Sequence, residues 1–254
     1  MKNCIILNYH SIYNSLDNEG YDSIFSIHKK DFVEHLKLIK SSGLKILSLR
    51  ELHKIDLENG NYVCLTFDDG HPSDFNIVFP LLKEYDLKAS FYITMKNVPE
   101  DSPRWLEYKK MEQAGFEIGA HGLTHSYLSE LTYTNQLIEL KESNRIVKEK
   151  IGSSVEYFSL PGGKFNGDTV TLANSLGIKG LLTTNFGVNN LEKVPFKLKR
   201  CSIKKDFSID KLKKLLDLDS KLIRRETNIS QLKKIGQNIV GSKLSDRINY
   251  ILQR

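Results

Sequence analysis

Short apolar runs alternate with amphipathic stretches over the first 200 residues of this chain. The clearest runs occupy 4–10, 62–67, 89–94, 116–121, 155–160 and 198–203, and most of them end at polar residues or glycine. Short runs bounded in this way are typical of buried strands. Runs at 45–49 and 178–184 predict two further strands, so the pattern indicates about eight in total.

Between these runs, apolar residues recur at intervals of three or four. Phe32, Leu36 and Ile39 have this spacing, as do apolar positions within 74–87, 137–151 and 168–176, and another helix is expected near 105–115. Each such stretch predicts a helix with one apolar face. Glycines at positions 43, 152 and 177 are typical helix ends. Alternation of strands and helices predicts βαβ units and a mostly parallel sheet.

No linker, repeat or low-complexity segment interrupts residues 1–208, so we predict one α/β barrel-like domain there. Residues 209–254 differ in composition and are predicted to form a basic helical extension. Leu212, Leu215 and Leu216 indicate one amphipathic helix. Apolar positions between 232 and 251 indicate a second helix, interrupted by Gly236 and Gly241. These apolar faces could pack against the barrel, or contact a membrane surface or a partner.

Composition narrows the class of protein further. The chain has 254 residues, 40% of them hydrophobic, which is enough for a substantial core. Its three cysteines show neither paired spacing nor metal-ligand spacing, so no disulfide framework or thiolate zinc site is indicated. No apolar run approaches the roughly 18 residues of a membrane span, and the N-terminus lacks the pattern of a secretory signal. We therefore expect a cytoplasmic location.

The net charge of +6 is unevenly distributed. From Lys197 onward there are 16 basic and 6 acidic residues. A basic tail can bind nucleic acid, anionic lipid or an anionic substrate, or can simply be the solvated face of surface helices. The expected contact, if the tail has a partner, is a peripheral one with an anionic membrane. No nucleic-acid partner is expected, and the sequence does not indicate an oligomeric state.

Two groups of polar residues follow predicted strands. Asp68 and Asp69 come directly after the run 62–67, and His121 and His125 lie at the end of the run 116–121. Catalytic side chains gather at the carboxyl ends of parallel strands. Two histidines four residues apart can converge on one metal, and Asp69 would complete a ligand set with open positions for water and substrate. The alternatives are a solvated turn for the carboxylates and capping or buried donors for the histidines.

Residues 66–70 (Thr-Phe-Asp-Asp-Gly) and 121–125 (His-Gly-Leu-Thr-His) together resemble the first two motifs of the polysaccharide deacetylases. This family is also known as the NodB homology or carbohydrate esterase family 4 proteins, and the resemblance extends over most of residues 3–203. It implies a distorted (β/α)7 barrel and a metal-dependent hydrolase that removes an N-acetyl group from an amino sugar of a bacterial glycan or its precursor. Zinc is the first expectation, and cobalt, nickel or manganese would also suit the ligands.

The resemblance also implies a role for each motif residue. Asp68 matches the family's catalytic base, and Asp69, His121 and His125 match its metal ligands. The nucleophile would be a water activated by the metal.

The third motif departs from the family pattern, which commonly reads Arg-Pro-Pro-Tyr-Gly where this chain has Ser-Leu-Pro-Gly-Gly at 159–163. Pro161 matches, and Gly162 retains the backbone amide that would bind the oxyanion. Ser159 lacks the arginine that would orient Asp68. Arg200 is the expected substitute, and a surface position for it is the alternative.

The general acid must also be found elsewhere, because no histidine follows His125. Tyr9-His10 resembles the N-terminal Tyr-His motif of the branch that deacetylates exported poly-N-acetylglucosamine. His10 is therefore expected to protonate the leaving amine, with a structural role as the alternative.

The sequence is also compatible with two other functions. The altered third motif would suit a catalytically silent glycan-binding barrel, and the same metal-water chemistry would hydrolyse another amide on a sugar, such as a formamide. The expected partner is an N-acetylated amino-sugar glycan. Given the expected cytoplasmic location, a lipid-linked or nucleotide-linked precursor is favoured over a finished polymer.

Overall fold

The computed structural model describes residues 2–14, 24–53 and 59–240. Its strands are β1 (Lys2–Tyr9), β2 (Ile12–Tyr13), β3 (Ile27–His28), β4 (Lys45–Ile46), β5 (Gly60–Asp69), β6 (Ser90–Ile93), β7 (Glu117–Ala120), β8 (Tyr157–Ser159), β9 (Gly180–Leu182), β10 (Asn189–Asn190), β11 (Lys197–Leu198) and β12 (Cys201–Ser202). Its α-helices are α1 (Lys29–Ser41), α2 (Phe79–Glu84), α3 (Trp105–Gln113), α4 (Tyr133–Ile151), α5 (Gly167–Ser175), α6 (Ile209–Leu216) and α7 (Ser220–Val240).

Ten of the described strands form one sheet. Eight of them follow the order β10-β1-β5-β6-β7-β8-β9-β11, while β4 pairs with β5 and β12 pairs with β1. Every pairing in this path is parallel except that of β10 with β1. The sheet is nearly closed, because β11 pairs with β9 while β12, two residues later, pairs with β1 at the opposite edge. The predicted α/β single domain with a distorted (β/α)7 barrel is confirmed.

Strand alternation divides the buried side chains between two faces. On β5, Val63, Leu65 and Phe67 belong to the core between sheet and helices, whereas Tyr62 and Cys64 belong to a second cluster. That second cluster also contains residues of β1, β6, β8, β9 and β11, so it fills the inside of the barrel. Continuing the alternation places Asp68 on the inward face at the carboxyl end of β5.

The amino-terminal end of the barrel is closed by a 3₁₀ helix at Leu49–His53. Glu117, the first residue of β7, is buried there and accepts hydrogen bonds from the Arg50 N–H at 2.7 Å and the Ser90 hydroxyl at 2.8 Å. These bonds hold the 3₁₀ helix over the amino-terminal end of the barrel. A substrate site is therefore expected at the carboxyl end of the strands.

The structure refines several predicted boundaries. Residues Asp74–Val78 form a π-helix that precedes α2, and α2 ends at Glu84 rather than at residue 87. The predicted strand at 45–49 is only two residues long, because Leu49 starts the 3₁₀ helix. The strand predicted at 198–203 is divided into β11 and β12 on either side of Arg200. The two-residue strands β2, β3 and β10 were not predicted, since such short segments carry no periodic signal.

The C-terminal extension packs on the barrel through its first helix. Leu212, Leu215 and Leu216 of α6 are buried in the same core as the barrel helices. Helix α7 runs through Gly236 without interruption, so the break predicted there is wrong; one glycine costs a helix only about 1 kcal/mol. Gly241 and the rest of the predicted second helix lie outside the described residues.

Basic side chains of this extension lie on its solvent side: Lys213, Lys214, Lys221, Arg224 and Arg225 are exposed. Contact of these residues with an anionic membrane stays a prediction. Among the helices that the structure describes, none is both long enough and apolar enough to cross a membrane.

Candidate active site

Three potential metal ligands converge at the carboxyl end of the barrel. Asp69 Oδ1 lies 3.3 Å from Nε2 of His121 and 3.3 Å from Nε2 of His125. Asp69 ends β5, and both histidines lie in the loop that follows β7. Asp69 has a left-handed backbone (φ 78°), which turns the chain sharply at the strand end.

The donor set fits a divalent cation. Asp69 Oδ1 is buried, and no described donor reaches it with hydrogen-bond geometry, although two imidazole nitrogens lie nearby. A tetrahedral zinc ion with ligand bonds of about 2.0–2.2 Å holds its ligand atoms about 3.3–3.6 Å apart. The two measured spacings match this edge length. Carboxylate and imidazole ligands suit zinc and several other transition metals.

A hydrogen bond outside the cluster orients His121. Its Nδ1 lies 2.8 Å from the backbone oxygen of Ser159, the last residue of β8, so Nδ1 carries the proton and Nε2 faces Asp69. The His121 backbone N–H donates to the Ile93 oxygen at 2.8 Å. In the neutral His121 ring, Nε2 is therefore the nitrogen without a proton, and it faces the cluster.

Opposite charges shift the pKa values within the cluster. Burial alone raises the pKa of Asp69, but the two histidines beside it favour the ionised carboxylate and hold its pKa below the usual range. Burial lowers the pKa of His121, whereas Asp68 and Asp69 together raise it above its usual value. A carboxylate held in its ionised form is the state that a cation ligand requires.

Asp68 lies beside this cluster and forms a buried ion pair with Arg200. Arg200 Nη1 donates to Asp68 Oδ1 at 3.0 Å, and Nη2 donates to Oδ2 at 2.8 Å. Arg200 is only 1% exposed, so the alternative of a surface arginine is wrong. Burial raises the pKa of Asp68, but the charges of Arg200 and His121 outweigh this effect and lower the pKa below its usual value.

The remaining guanidinium donors of Arg200 are also engaged. Nε donates to the Thr183 oxygen at 3.0 Å, Nη1 to Asn8 Oδ1 at 2.9 Å and Nη2 to Ser159 Oγ at 3.0 Å. With every N–H occupied, Arg200 has no donor left for an oxyanion or a substrate. Its contact with both oxygens of Asp68 is the contact expected of the substitute arginine.

His10 follows β1, whose pairing with β5 ends at Tyr9 and Phe67, so His10 lies alongside Asp68. Its ring packs against Phe25 with centroids 4.6 Å apart. Its Nδ1 is buried and has no hydrogen-bond partner among the described residues. Burial lowers the pKa of His10, while the carboxylates of Asp69 and Asp68 partly oppose this shift.

The third motif forms a 3₁₀ turn at Pro161–Gly163, directly beyond β8. Pro161 is buried, and Gly162 has a left-handed backbone (φ 58°). No described residue accepts a hydrogen bond from the Gly162 N–H. A Cβ at position 162 would lie 2.5 Å from the ring of Tyr127, so this half-buried ring occupies the space of the missing side chain.

Sequence reasoning missed two residues of the site. Asn8 shares Arg200 with Asp68, and its signal was a polar residue at an inward position of an otherwise apolar strand. Tyr127 gave no signal, because its contact with Gly162 joins two loops 35 positions apart in the chain.

Comparison with known proteins shows which sequences and structures this chain is similar to. The sequence model of the polysaccharide deacetylases matches residues 57–181. YxkH of Bacillus subtilis (strain 168), whose name assigns it to the polysaccharide deacetylases, is 27% identical over 203 residues, which cover 78% of this chain and 70% of that protein. A poly-beta-1,6-N-acetyl-D-glucosamine N-deacetylase of Staphylococcus aureus (strain N315) is 25% identical over 203 residues, covering 69% of this chain and 70% of that enzyme.

A solved structure shares the fold over nearly its whole length. The Streptococcus pyogenes deacetylase PplD, solved in complex with acetate, superimposes with a TM-score of 0.74 at 25% identity. The match covers 83% of this chain and 96% of that protein.

The Arg200–Asp68 pair leads to a stability prediction. Replacing Arg200 with leucine leaves the Asp68 carboxylate buried without its partner, so we expect a loss of about 3–5 kcal/mol in the free energy of unfolding, measured by urea denaturation. In an Asp68→Asn background the same replacement should cost clearly less, because no charge is stranded.

Arg225→Leu is the matched control, because Arg225 is exposed on α7 and its loss should leave stability unchanged. Equal costs of Arg200→Leu in both backgrounds would show that the pair does not carry this stability.

Proposed function

The chain belongs to the polysaccharide deacetylase family, and we propose that it is a metal-dependent N-deacetylase acting on the acetamido group of an N-acetylated amino sugar in a glycan or glycan precursor. The observation that carries this proposal is the convergence of Asp69, His121 and His125 on one point, beside a second carboxylate that is not a ligand. A hydrolytic site needs both an electrophilic centre and a separate base, and this arrangement offers both.

The similarity to known enzymes supports the substrate class. The Staphylococcus aureus relative is named for poly-beta-1,6-N-acetyl-D-glucosamine, a polymer of an N-acetylated amino sugar. PplD, a deacetylase, was solved with acetate, the product that deacetylation releases. We propose the acetamide of an amino sugar as the substrate class of this chain as well.

Asp69, His121 and His125 would hold the metal. When bound there, a divalent cation would supply a Lewis acid for the acetamide carbonyl and would lower the pKa of water at its open position to about 7. His121 contributes Nε2 because Ser159 fixes its tautomer.

Asp68 is the proposed base. Its lowered pKa keeps the carboxylate ionised at neutral pH, so it is ready to accept the proton of the attacking water. The two-pronged contact with Arg200 fixes the plane of the carboxylate, which favours proton transfer along one direction. Arg200 is thus a positioning residue rather than a residue that touches the substrate.

The Gly162 N–H is the proposed oxyanion donor. It is not used by any described acceptor, and the turn that presents it is held by Thr184, whose hydroxyl donates to the Gly162 oxygen at 3.2 Å. One such donor is typically worth about 3 kcal/mol in the transition state. Buried Pro161 shapes the turn, and the Tyr127 ring would form the adjoining wall of the substrate groove.

His10 is the proposed general acid for the leaving amine. Its lowered pKa makes the resting imidazole neutral near pH 7. Negative charge that develops on the substrate during attack would raise this pKa and favour uptake of a proton. His10 is placed to take up this proton because it lies alongside Asp68, the proposed acceptor of the proton of the attacking water.

Acetate release tests the function directly. The zinc-loaded protein should release acetate from N-acetylated chito-oligosaccharides or from nucleotide-linked N-acetylglucosamine, and Asp68→Asn should reduce turnover at least about a hundredfold while zinc binding persists. Asp101→Asn makes the same carboxylate-to-amide change at an exposed position, and its turnover should equal that of the wild type.

Other outcomes would contradict the proposal in defined ways. Zinc binding with glycan binding but no acetate release would indicate a catalytically silent glycan-binding barrel. Release of formate from a formamido sugar, without release of acetate, would indicate hydrolysis of another amide. Equal turnover in the wild type and Asp68→Asn would remove Asp68 from the mechanism.

The role of His10 is tested with two leaving groups. His10→Ala should lower turnover of the amino-sugar substrate at least about a hundredfold, because the amine leaves only after protonation. Hydrolysis of 4-nitrophenyl acetate should fall far less, since nitrophenolate leaves without a proton. Equal losses on both substrates, or near-normal deacetylation, would contradict the acid role.

A further inference from the structure

The loop that carries both histidines is held by a carboxylate that touches neither ring. Glu139, on the second turn of α4, is only 5% exposed. Its Oε2 accepts hydrogen bonds from the backbone N–H of Leu123 at 2.6 Å and of Thr124 at 3.2 Å. Its Oε1 accepts the hydroxyl hydrogen of Thr124. Three donors of one loop therefore converge on one buried side chain.

The same loop contains a residue in a costly backbone conformation. His125 has a φ of 62°, in the left-handed region that residues other than glycine rarely adopt. Such a conformation costs about 1–3 kcal/mol and persists only where surrounding contacts impose it. Hydrogen bonds to a charged acceptor contribute about 1.5–3 kcal/mol each, so the bonds to Glu139 are large enough to impose it.

Close packing shows that the contact between the loop and Glu139 is tightly fitted. Gly122 has a φ of 83°, and a Cβ there would lie 2.8 Å from Glu139 Oε2. The opposite side of the loop is fixed to the segment that follows β6, because the Met95 N–H donates to the Gly122 oxygen at 3.1 Å. The loop is therefore held between the segment after β6 and the Glu139 carboxylate of α4.

The two histidines depend on this clamp to different degrees. His121 has anchors of its own, through Nδ1 to Ser159 and through its N–H to Ile93. His125 lies directly after Thr124, whose backbone and side chain are both held by Glu139. Releasing the clamp would let His125 relax from its left-handed conformation and would move its Nε2 away from Asp69.

We propose that Glu139 is a positioning residue that sets the place of His125 in the metal cluster, and so sets the affinity of the site for its cation. This inference rests on the proposed metal-dependent function. Residues that support ligands from outside typically change metal affinity by about 10–100-fold when they are replaced.

The test is a zinc titration against a chromophoric chelator. Glu139→Gln keeps the size of the side chain but places an amide NH₂ against one of the loop donors, so the zinc dissociation constant should rise about 10–100-fold. Glu142→Gln removes the same charge one turn along α4, where Glu142 pairs with Arg145 at the surface, and should leave the constant unchanged. Amide hydrogen exchange at Leu123 and Thr124 of the metal-free protein should accelerate in Glu139→Gln alone.

The outcomes separate this inference from the function on which it rests. A wild-type zinc affinity in Glu139→Gln would overturn the positioning role, even if the variant were less stable toward urea. Equal weakening in Glu142→Gln would assign the effect to net charge and would also overturn it. Failure of the wild type itself to bind zinc, with exchange at Leu123 and Thr124 altered as expected, would overturn the proposed function instead.

Discussion

The site depends first on the buried ion pair between Asp68 and Arg200. A carboxylate inside a barrel is costly unless a partner and hydrogen bonds compensate it, and here one guanidinium binds both carboxylate oxygens. Arg200 lies between β11 and β12, the two short strands that join the open edges of the sheet. The residue that contacts the proposed base therefore lies at the point where the sheet closes.

Around this pair, two of the three proposed metal ligands, Asp69 and His125, have a left-handed backbone. Four described residues other than glycine have positive φ, and two of them are Asp69 and His125. Each strained ligand has support from a neighbouring element. The Asn97 side-chain amide donates to the backbone carbonyl oxygen of Asp69 at 3.0 Å. Glu139 accepts hydrogen bonds from the loop that carries His125. Support of this kind keeps the ligand atoms close together although two of the residues that carry them have costly backbone conformations.

The sequence predicted the elements and much of the site, because both follow from local patterns. Apolar runs that end in Asp68-Asp69 and at His121 indicated strands with polar groups at one end, and the structure brings these residues together. Arg200 was harder to place, since it pairs with a residue 132 positions away and only the closed barrel joins them. The packing of Tyr127 over Gly162 and the clamp by Glu139 are contacts between loops and helices, for which a linear pattern has no signal. The run at 198–203 indicated one strand, whereas its division into β11 and β12 at opposite sides of the sheet is defined by pairing partners and not by periodicity.

Hydrolysis of an amino-sugar acetamide, with a metal held by Asp69, His121 and His125, is the proposed reaction of this barrel. The most direct measurement is acetate release by the protein before and after removal of metal with a chelator, followed by titration with zinc. We expect acetate release to stop on removal of the metal and to return in proportion to bound zinc, with its limit at one ion per chain. We expect cobalt, nickel or manganese to restore it to differing extents. Acetate release that continues at the same rate in the metal-free protein would contradict the metal-dependent reaction.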